Sequence, residues 1–179
     1  MCLNQDLLFN YFYYKAFSKN APISVMIELL TKCNLNCKHC YLPKHTNAGV
    51  TYEKMENLLY ELHDMGVLNV SFTGGEIFLR EDIFKIIETA RKLHMRVILL
   101  SNGTLINEKN VKRLSELYIA EFSTTVFSLK DDIHDSITGV RGSLKTVLNN
   151  LQLLKKYGIR VAIKTPLMDI NKFDFRKIK

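Results

Sequence analysis

From residue 23 onward, short apolar runs take turns with segments of helical periodicity, and no two runs are joined by a hairpin signal. The strands read as residues 23–30, 69–73, 96–100, 121–127 and 160–165. Between them, apolar residues recur at helical spacing. Met55, Leu58, Leu59 and Leu62 follow a cap at Thr51, then come Ile83, Ile86, Ile87 and Ala90. Val111, Leu114 and Leu117 follow a cap at Asn107, and Leu144, Val147, Leu148, Leu151 and Leu154 follow a cap at Ser143. Gly66 and Gly158 stand where the first and last of these helices close. Such alternation specifies right-handed crossovers and a parallel sheet, so the fold class is α/β, either open or curled toward a barrel. The first strand, 23–30, is apolar on both faces, as expected of a strand covered on both sides.

In either arrangement the carboxyl ends of the strands share one face, where active sites collect. Four unusual polar sequences each follow one of the first four strands. They are residues 33–41, then Gly74-Gly75-Glu76, Ser101-Asn102-Gly103-Thr104 and Ser128-Leu129-Lys130-Asp131. Their convergence on one mouth predicts an active-site face.

The first of these reads Cys33-Asn34-Leu35-Asn36-Cys37-Lys38-His39-Cys40-Tyr41. A loop this short can wrap three thiolates around one face of an iron–sulfur cube. Such cubes ordinarily take about four cysteines, so one iron would stay open to a ligand. Structural zinc is the other reading of the spacing, with His39 or His45 as a fourth ligand. Spacing alone does not choose between them. Gly74-Gly75 allows close backbone approach to a ligand, and the carbonyls with Glu76 beside them suit an ammonium group better than a phosphate. The dinucleotide pattern G-x-G-x-x-G is absent. Asn102 and Ser128 are turn or cap residues on the plainer reading, and hydrogen-bond partners for a ribose or carboxylate on the other. The five histidines apart from His39 and His45 reduce to His63, His94 and His134, which read as surface or cap residues.

The chain has 179 residues, enough for one core, and no apolar run approaches the ~18 residues of a membrane helix. Its start lacks the basic-then-apolar order of a secretory signal. Four cysteines, three of them spaced like ligands, point to a reducing cytoplasm. The net charge of +7 is scattered, which reads as solvated surface and not as a nucleic-acid face. Residues 7–17 carry eight large apolar or aromatic side chains and read as a short helix docking across the end of the domain.

The loop Cys33-x-x-x-Cys37-x-x-Cys40-Tyr41 resembles the signature of the radical S-adenosylmethionine enzymes. Thr73-Gly74-Gly75-Glu76 resembles the glycine loop of that family, also after the second strand, and Ser101-Asn102-Gly103-Thr104 and Phe127-Ser128-Leu129 match further family segments in order. The resemblance covers residues 21–168 and is closest to enzymes that modify peptides or proteins. It implies a partial (β/α)6 TIM-like barrel with parallel strands, here stopping after about the fifth strand. It implies that Cys33, Cys37 and Cys40 hold three irons of a 4Fe–4S cluster whose fourth iron chelates S-adenosylmethionine. By the same resemblance Gly74, Gly75 and Glu76 receive the methionyl amine, and Ser128 meets the ribose or carboxylate with Asn102 nearby. Ile163 flanks the adenine, and Tyr41 shields the cluster or the adenine. The implied activity is reductive cleavage of S-adenosylmethionine to a deoxyadenosyl radical that abstracts hydrogen, with a flavodoxin or ferredoxin as electron donor. The rival readings are a relative acting on a small molecule in cofactor biosynthesis, and an inert metal-binding module.

Two departures stand out. Thr138 occupies the place where such relatives carry an arginine, with Arg141 close by. The chain also stops soon after the fifth strand and has no cysteine after Cys40, which reads as a truncated core whose C-terminal half or partner chain is missing. The expected division is an aromatic extension at 1–20, the core at 21–168 and a basic tail at 169–179.

Overall fold

The computed structural model describes residues 5–18, 20–42 and 46–174. Helix α1 (Gln5–Ser18) leads into β1 (Ser24–Glu28), and the chain then alternates through α2 (Tyr52–Asp64), β2 (Asn69–Thr73), α3 (Ile83–Lys92), β3 (Arg96–Leu100), α4 (Glu108–Glu116), β4 (Glu121–Thr125), α5 (Asp131–Thr138), α6 (Ser143–Lys156) and β5 (Val161–Lys164). The five strands pair in parallel in sequence order, so β1 and β5 are the two edges of a sheet that does not close. This is the α/β partial-barrel arrangement.

Register decides which side chains meet the helices. Ile27, Phe72, Leu99, Phe122 and Val161 are paired across the five strands and lie on the helix-facing side. Phe72, Leu99 and Phe122 are fully buried there, each worth ~1.5–3 kcal/mol in apolar burial. Against them pack Met55, Leu59 and Leu62 of α2, Ile83, Ile86, Ile87 and Ala90 of α3, and Val111 and Leu114 of α4, as their spacing predicts. The opposite, inner face carries Met26, Glu28, Ser71, Thr73, Leu100, Ser123, Thr125, Ala162 and Lys164.

Several expectations need correcting. Strand β1 is covered on one side only: Val25 and Ile27 are half-buried, whereas Met26 is 64% exposed. It is an edge strand, and the helices it packs with lie on one face. In α6, Leu144, Val147 and Leu154 are buried, but Leu148 and Leu151 are only partly covered. They line an open groove with Val161 and Ile163 because no described strand lies beyond β5. Ser143 is the first residue of α6 and not its cap; Gly142 holds the cap position at φ 79°. Asp135, at the end of α5, caps α6 from outside, accepting from Ser143 Oγ at 2.8 Å and from the Leu144 amide at 3.0 Å. Asn107 does cap α4, in a reciprocal box with Asn110. Tyr11, Tyr14 and Phe17 of α1 are exposed, so the expected docking is not made through them. Among the described residues, no helix is long and apolar enough to cross a membrane.

Candidate active site

The cysteine loop starts where β1 ends, and the backbone just before it is fixed by the glycine loop after β2. The amides of Gly75 and Glu76 donate to the carbonyls of Leu30 and Lys32, both at 2.9 Å. The two strands are so close there that a Cβ on Gly74 would lie 2.4 Å from Leu30 O, and one on Gly75 would lie 2.3 Å from Lys32 O. Gly74 also sits at φ 147°, open to glycine and costly for other residues. The close approach these glycines permit is therefore made to the chain's own backbone.

The far side of the loop rests on α5. The amides of Asn36 and Lys38 donate to the carbonyls of Thr138 and Ile137 at 3.0 and 2.9 Å, using acceptors that a helix end leaves without an internal partner. Behind the loop, Thr31 and Lys32 donate to Asn47 O. Arg80, almost fully buried, then ties this returning segment down. Its guanidinium donates to the carbonyls of Leu29, Ala48 and Val50 and forks onto Asp82 at 2.7–2.8 Å. Sequence reasoning missed Arg80; Asp82 two residues later was a visible partner, but its burial was not visible.

Held this way, Cys33, Cys37 and Cys40 all line one cavity of about 220 Å³ at the rim. None is in a disulfide. Burial, together with the Cys33 and Cys40 thiolates, pushes the Cys37 thiol up to about 11. Burial also raises Cys33, partly offset by the Leu35 amide. Thiols that resist ionisation beside one another become good ligands when a cationic centre takes up their charge. Among the described residues, no three His, Cys, Asp or Glu side chains close around a single ion. Three thiols lining one cavity are the soft donors that iron–sulfur clusters take. His39, the described candidate for a fourth zinc ligand, lies edge-on to Phe127 at 4.8 Å; His45 lies outside the described residues.

Glu76 is fully buried and does not line the cavity. Its carboxylate accepts from the Phe78 amide at 3.0 Å, from Ser101 Oγ at 2.8 and 3.0 Å, and from the Asn102 amide at 2.8 Å. Desolvation raises its pKa, and these donors partly oppose the rise. The effect is to join the loop after β2 to the loop after β3. Asn102 does line the cavity, and its Nδ2 reaches Asn34 Oδ1 at 2.9 Å and Cys33 Sγ at 3.9 Å.

Of the other expected site residues, Tyr41 lines the cavity, largely exposed, with its hydroxyl on Glu28 Oε2 at 2.9 Å. Ser128 is buried beside the cavity, not in its wall; its Oγ accepts from the Lys130 amide and lies 3.4 Å from Asp174 Oδ2. Asp174 and Asn171 are buried against this corner, Asn171 donating to Phe127 O at 2.9 Å. The Ile163 side chain lines the outer groove, while its neighbour Lys164 lines the cavity. Thr138 is buried in the cavity wall, and Arg141 is exposed outside it. His134 corrects the surface reading: it is buried in the cavity wall, with Nδ1 accepting from the Phe127 amide at 3.3 Å. His63 and His94 are exposed, as expected.

A parallel α/β partial barrel that gathers three cysteines, a glycine loop and an asparagine at its carboxyl rim defines a recognisable class. The chain belongs to the radical SAM superfamily, whose family model matches residues 27–178. It is 31% identical over 157 residues to the antilisterial bacteriocin subtilosin biosynthesis protein AlbA of Bacillus subtilis, covering 86% of this chain and 35% of AlbA. It is 29% identical over 154 residues to an AdoMet-dependent heme synthase of Oleidesulfovibrio alaskensis, covering 84% of this chain and 40% of that protein. In fold it resembles Streptococcus suis SuiB bound to S-adenosylmethionine, with TM-score 0.79 and 21% identity, over 92% of this chain and 39% of SuiB. The chain thus spans less than half the length of these relatives. Members of this family are enzymes, and the family implies S-adenosylmethionine-dependent radical chemistry.

Proposed function

We propose that this chain is the core of a radical S-adenosylmethionine enzyme that modifies a peptide or protein. The observation that carries the reading is the convergence of Cys33, Cys37 and Cys40 on one cavity that also contains Gly74, Gly75 and Asn102. Cys33, Cys37 and Cys40 would hold three irons of a 4Fe–4S cluster. When bound, the cluster and S-adenosylmethionine supply reductive carbon–sulfur cleavage and a deoxyadenosyl radical that abstracts hydrogen. The chain's own part is positioning. Gly74 and Gly75 offer backbone carbonyls to the amine, with Glu76 bracing their loop from behind. Asn102 orients the Cys33 side of the loop, and Phe127, Thr138 and Val147 wall the cavity off from water. Tyr41, at the open edge, shields whatever lies below it, and the backbone around Ile163 borders the adenine end. Ser128 supports that end from behind the wall. A flavodoxin or ferredoxin in a reducing cytoplasm would supply the electron.

The peptide assignment draws support from AlbA and from SuiB, which has also been seen with its precursor peptide SuiA at TM-score 0.74. The heme synthase, at nearly the same identity, favours a small-molecule substrate as the second reading. Anaerobic reconstitution should give a brown protein with about four irons per chain, and reductant with S-adenosylmethionine should release deoxyadenosine. Cys37→Ala should lose both. A colourless protein holding one zinc refutes the proposal. Hydrogen transfer from a deuterated candidate peptide, measured as deuterium in deoxyadenosine, separates the two substrate readings.

A further inference from the structure

We propose that Ser123, Thr125 and Lys164 form a subsite on the inner face of β4 and β5 for an acidic side chain of the substrate. Thr125 and Lys164 are paired in register, and Ser123 lies two residues before Thr125 on the same face. All three line the cavity that contains the cysteines. Ser123 is 2% exposed, and its Oγ has no hydrogen-bond partner. Leaving a hydroxyl unpaired in the interior costs ~1–3 kcal/mol, so a buried orphan marks a place where a partner is expected. The other orphan among the described side chains, Thr124 Oγ1, belongs to a residue that also lines this cavity, but strand alternation turns its side chain to the helix-facing side, toward Gly103, and away from Ser123 and Thr125. Lys164 supplies the charge: no described residue forms an ion pair with its ammonium. One cation with two hydroxyls matches the single charge and two oxygens of a carboxylate. A phosphate would bring nearly two charges to the same lysine.

The position selects the source of that carboxylate, given the reading that the glycine loop holds the amine of S-adenosylmethionine. Gly74 follows β2, and Lys164 ends β5, three strands away. At ~4.8 Å per strand this is ~14 Å along the sheet. Amine and carboxylate of one amino acid are attached to the same carbon, so an amine held at Gly74 keeps its own carboxylate toward the β2 side of the cavity. The group reaching Lys164 therefore belongs to a second molecule.

The test uses the full chain, labelled with nitrogen-15 and kept under reductant, titrated with N-acetyl-glutamate amide and with its glutamine counterpart. Amide shifts at residues 123–125 and 162–165 should move with the acid, at an affinity about tenfold above that for the glutamine compound. Lys164→Met should erase the difference. Ser123→Ala should weaken acid binding several-fold while leaving the melting temperature unchanged or higher, because it removes an unpaired buried hydroxyl. The proposal is overturned if acid and amide bind alike, or if the preference survives Lys164→Met. It is also overturned if Lys164→Met leaves glutamate binding intact but weakens S-adenosylhomocysteine, which assigns the lysine to the cofactor's carboxylate. Failure of the enzyme reading itself would appear separately, as wild-type protein that neither assembles a brown cluster nor binds S-adenosylhomocysteine.

Discussion

Replacing Glu76 by Gln separates two jobs that one carboxylate could do. The side chain is fully buried and receives hydrogen bonds from the Phe78 amide, Ser101 Oγ and the Asn102 amide. Glutamine keeps the shape but turns one acceptor into a donor, so either the Phe78 or the Asn102 N–H must face an NH2 group. The loss is one charge-assisted hydrogen bond, worth ~1.5–3 kcal/mol, together with an unsatisfied buried N–H. Part of this is returned because the neutral amide avoids the desolvation that raises the carboxyl pKa. A net destabilisation of ~2–3 kcal/mol is expected, which lowers the melting temperature by roughly 4–12 °C at this chain length. The measurement is thermal and urea unfolding of the chain without metal, under reductant. A pH series adds a sign test. A carboxyl with a raised folded pKa contributes most stability below its unfolded value of 4.5, and that contribution fades as pH rises through the folded pKa. Glu76→Gln should remove this decline, so the gap between the two proteins should narrow as pH rises from 4.5. A variant within ~0.5 kcal/mol of wild type at every pH would refute the brace and return Glu76 to the role of a free ligand.

The remaining tests address neighbouring parts of the rim. Gly75→Ala places a methyl 2.3 Å from Lys32 O and 2.5 Å from Thr31 O, both backbone atoms. Overpacking against backbone should cost ~3 kcal/mol, and iron uptake on reconstitution should fall several-fold. Arg80→Met removes three hydrogen bonds to carbonyls of the segment behind the cysteine loop. Limited proteolysis should then cut near residues 46–50 at least ~10-fold faster, through local opening made easier by more than 1.4 kcal/mol. His134 has its pKa lowered by burial, against opposing pulls from Asp135 and Asp131. The unfolded state therefore binds the extra proton first as pH falls through 6.5, and stability declines on that side of neutrality. His134→Gln should flatten that acid limb, read as melting temperature between about pH 5 and 7.

The fold was legible because its signal is periodic. The apolar rows of α2, α3 and α4 face the sheet as their spacing requires, and the parallel order follows from alternation without hairpins. The cysteine and glycine loops were legible because both are short, local and chemically unusual. What sequence left hidden depends on contacts between distant segments. Asp135 caps a helix that starts eight residues later, Arg80 reaches carbonyls about thirty and fifty residues away, and His134 is buried by Phe127 and not by its own helix. Leu148 and Leu151 fit the periodicity and still remain half-covered, because burial depends on which strand lies opposite.

These contacts change how charge at the rim should be read. A carboxylate beside two glycines looks like the natural holder of a cationic group, yet Glu76 spends its acceptors on three donors from the chain. What the glycine loop leaves for a ligand is then carbonyl dipoles, which favour an amine without a full counter-charge. Among the described residues lining the cavity, apart from the cysteines, the histidines and the phenol of Tyr41, Lys164 alone is ionisable. It therefore sets the fixed charge of the wall, and it does so from the strand farthest from β1 in the pairing order. A ligand spanning this cavity meets neutral dipoles at one end and a cation at the other. Selectivity for an acidic second molecule follows from that gradient, while affinity for the first depends on the backbone that Glu76, Arg80 and α5 hold in place.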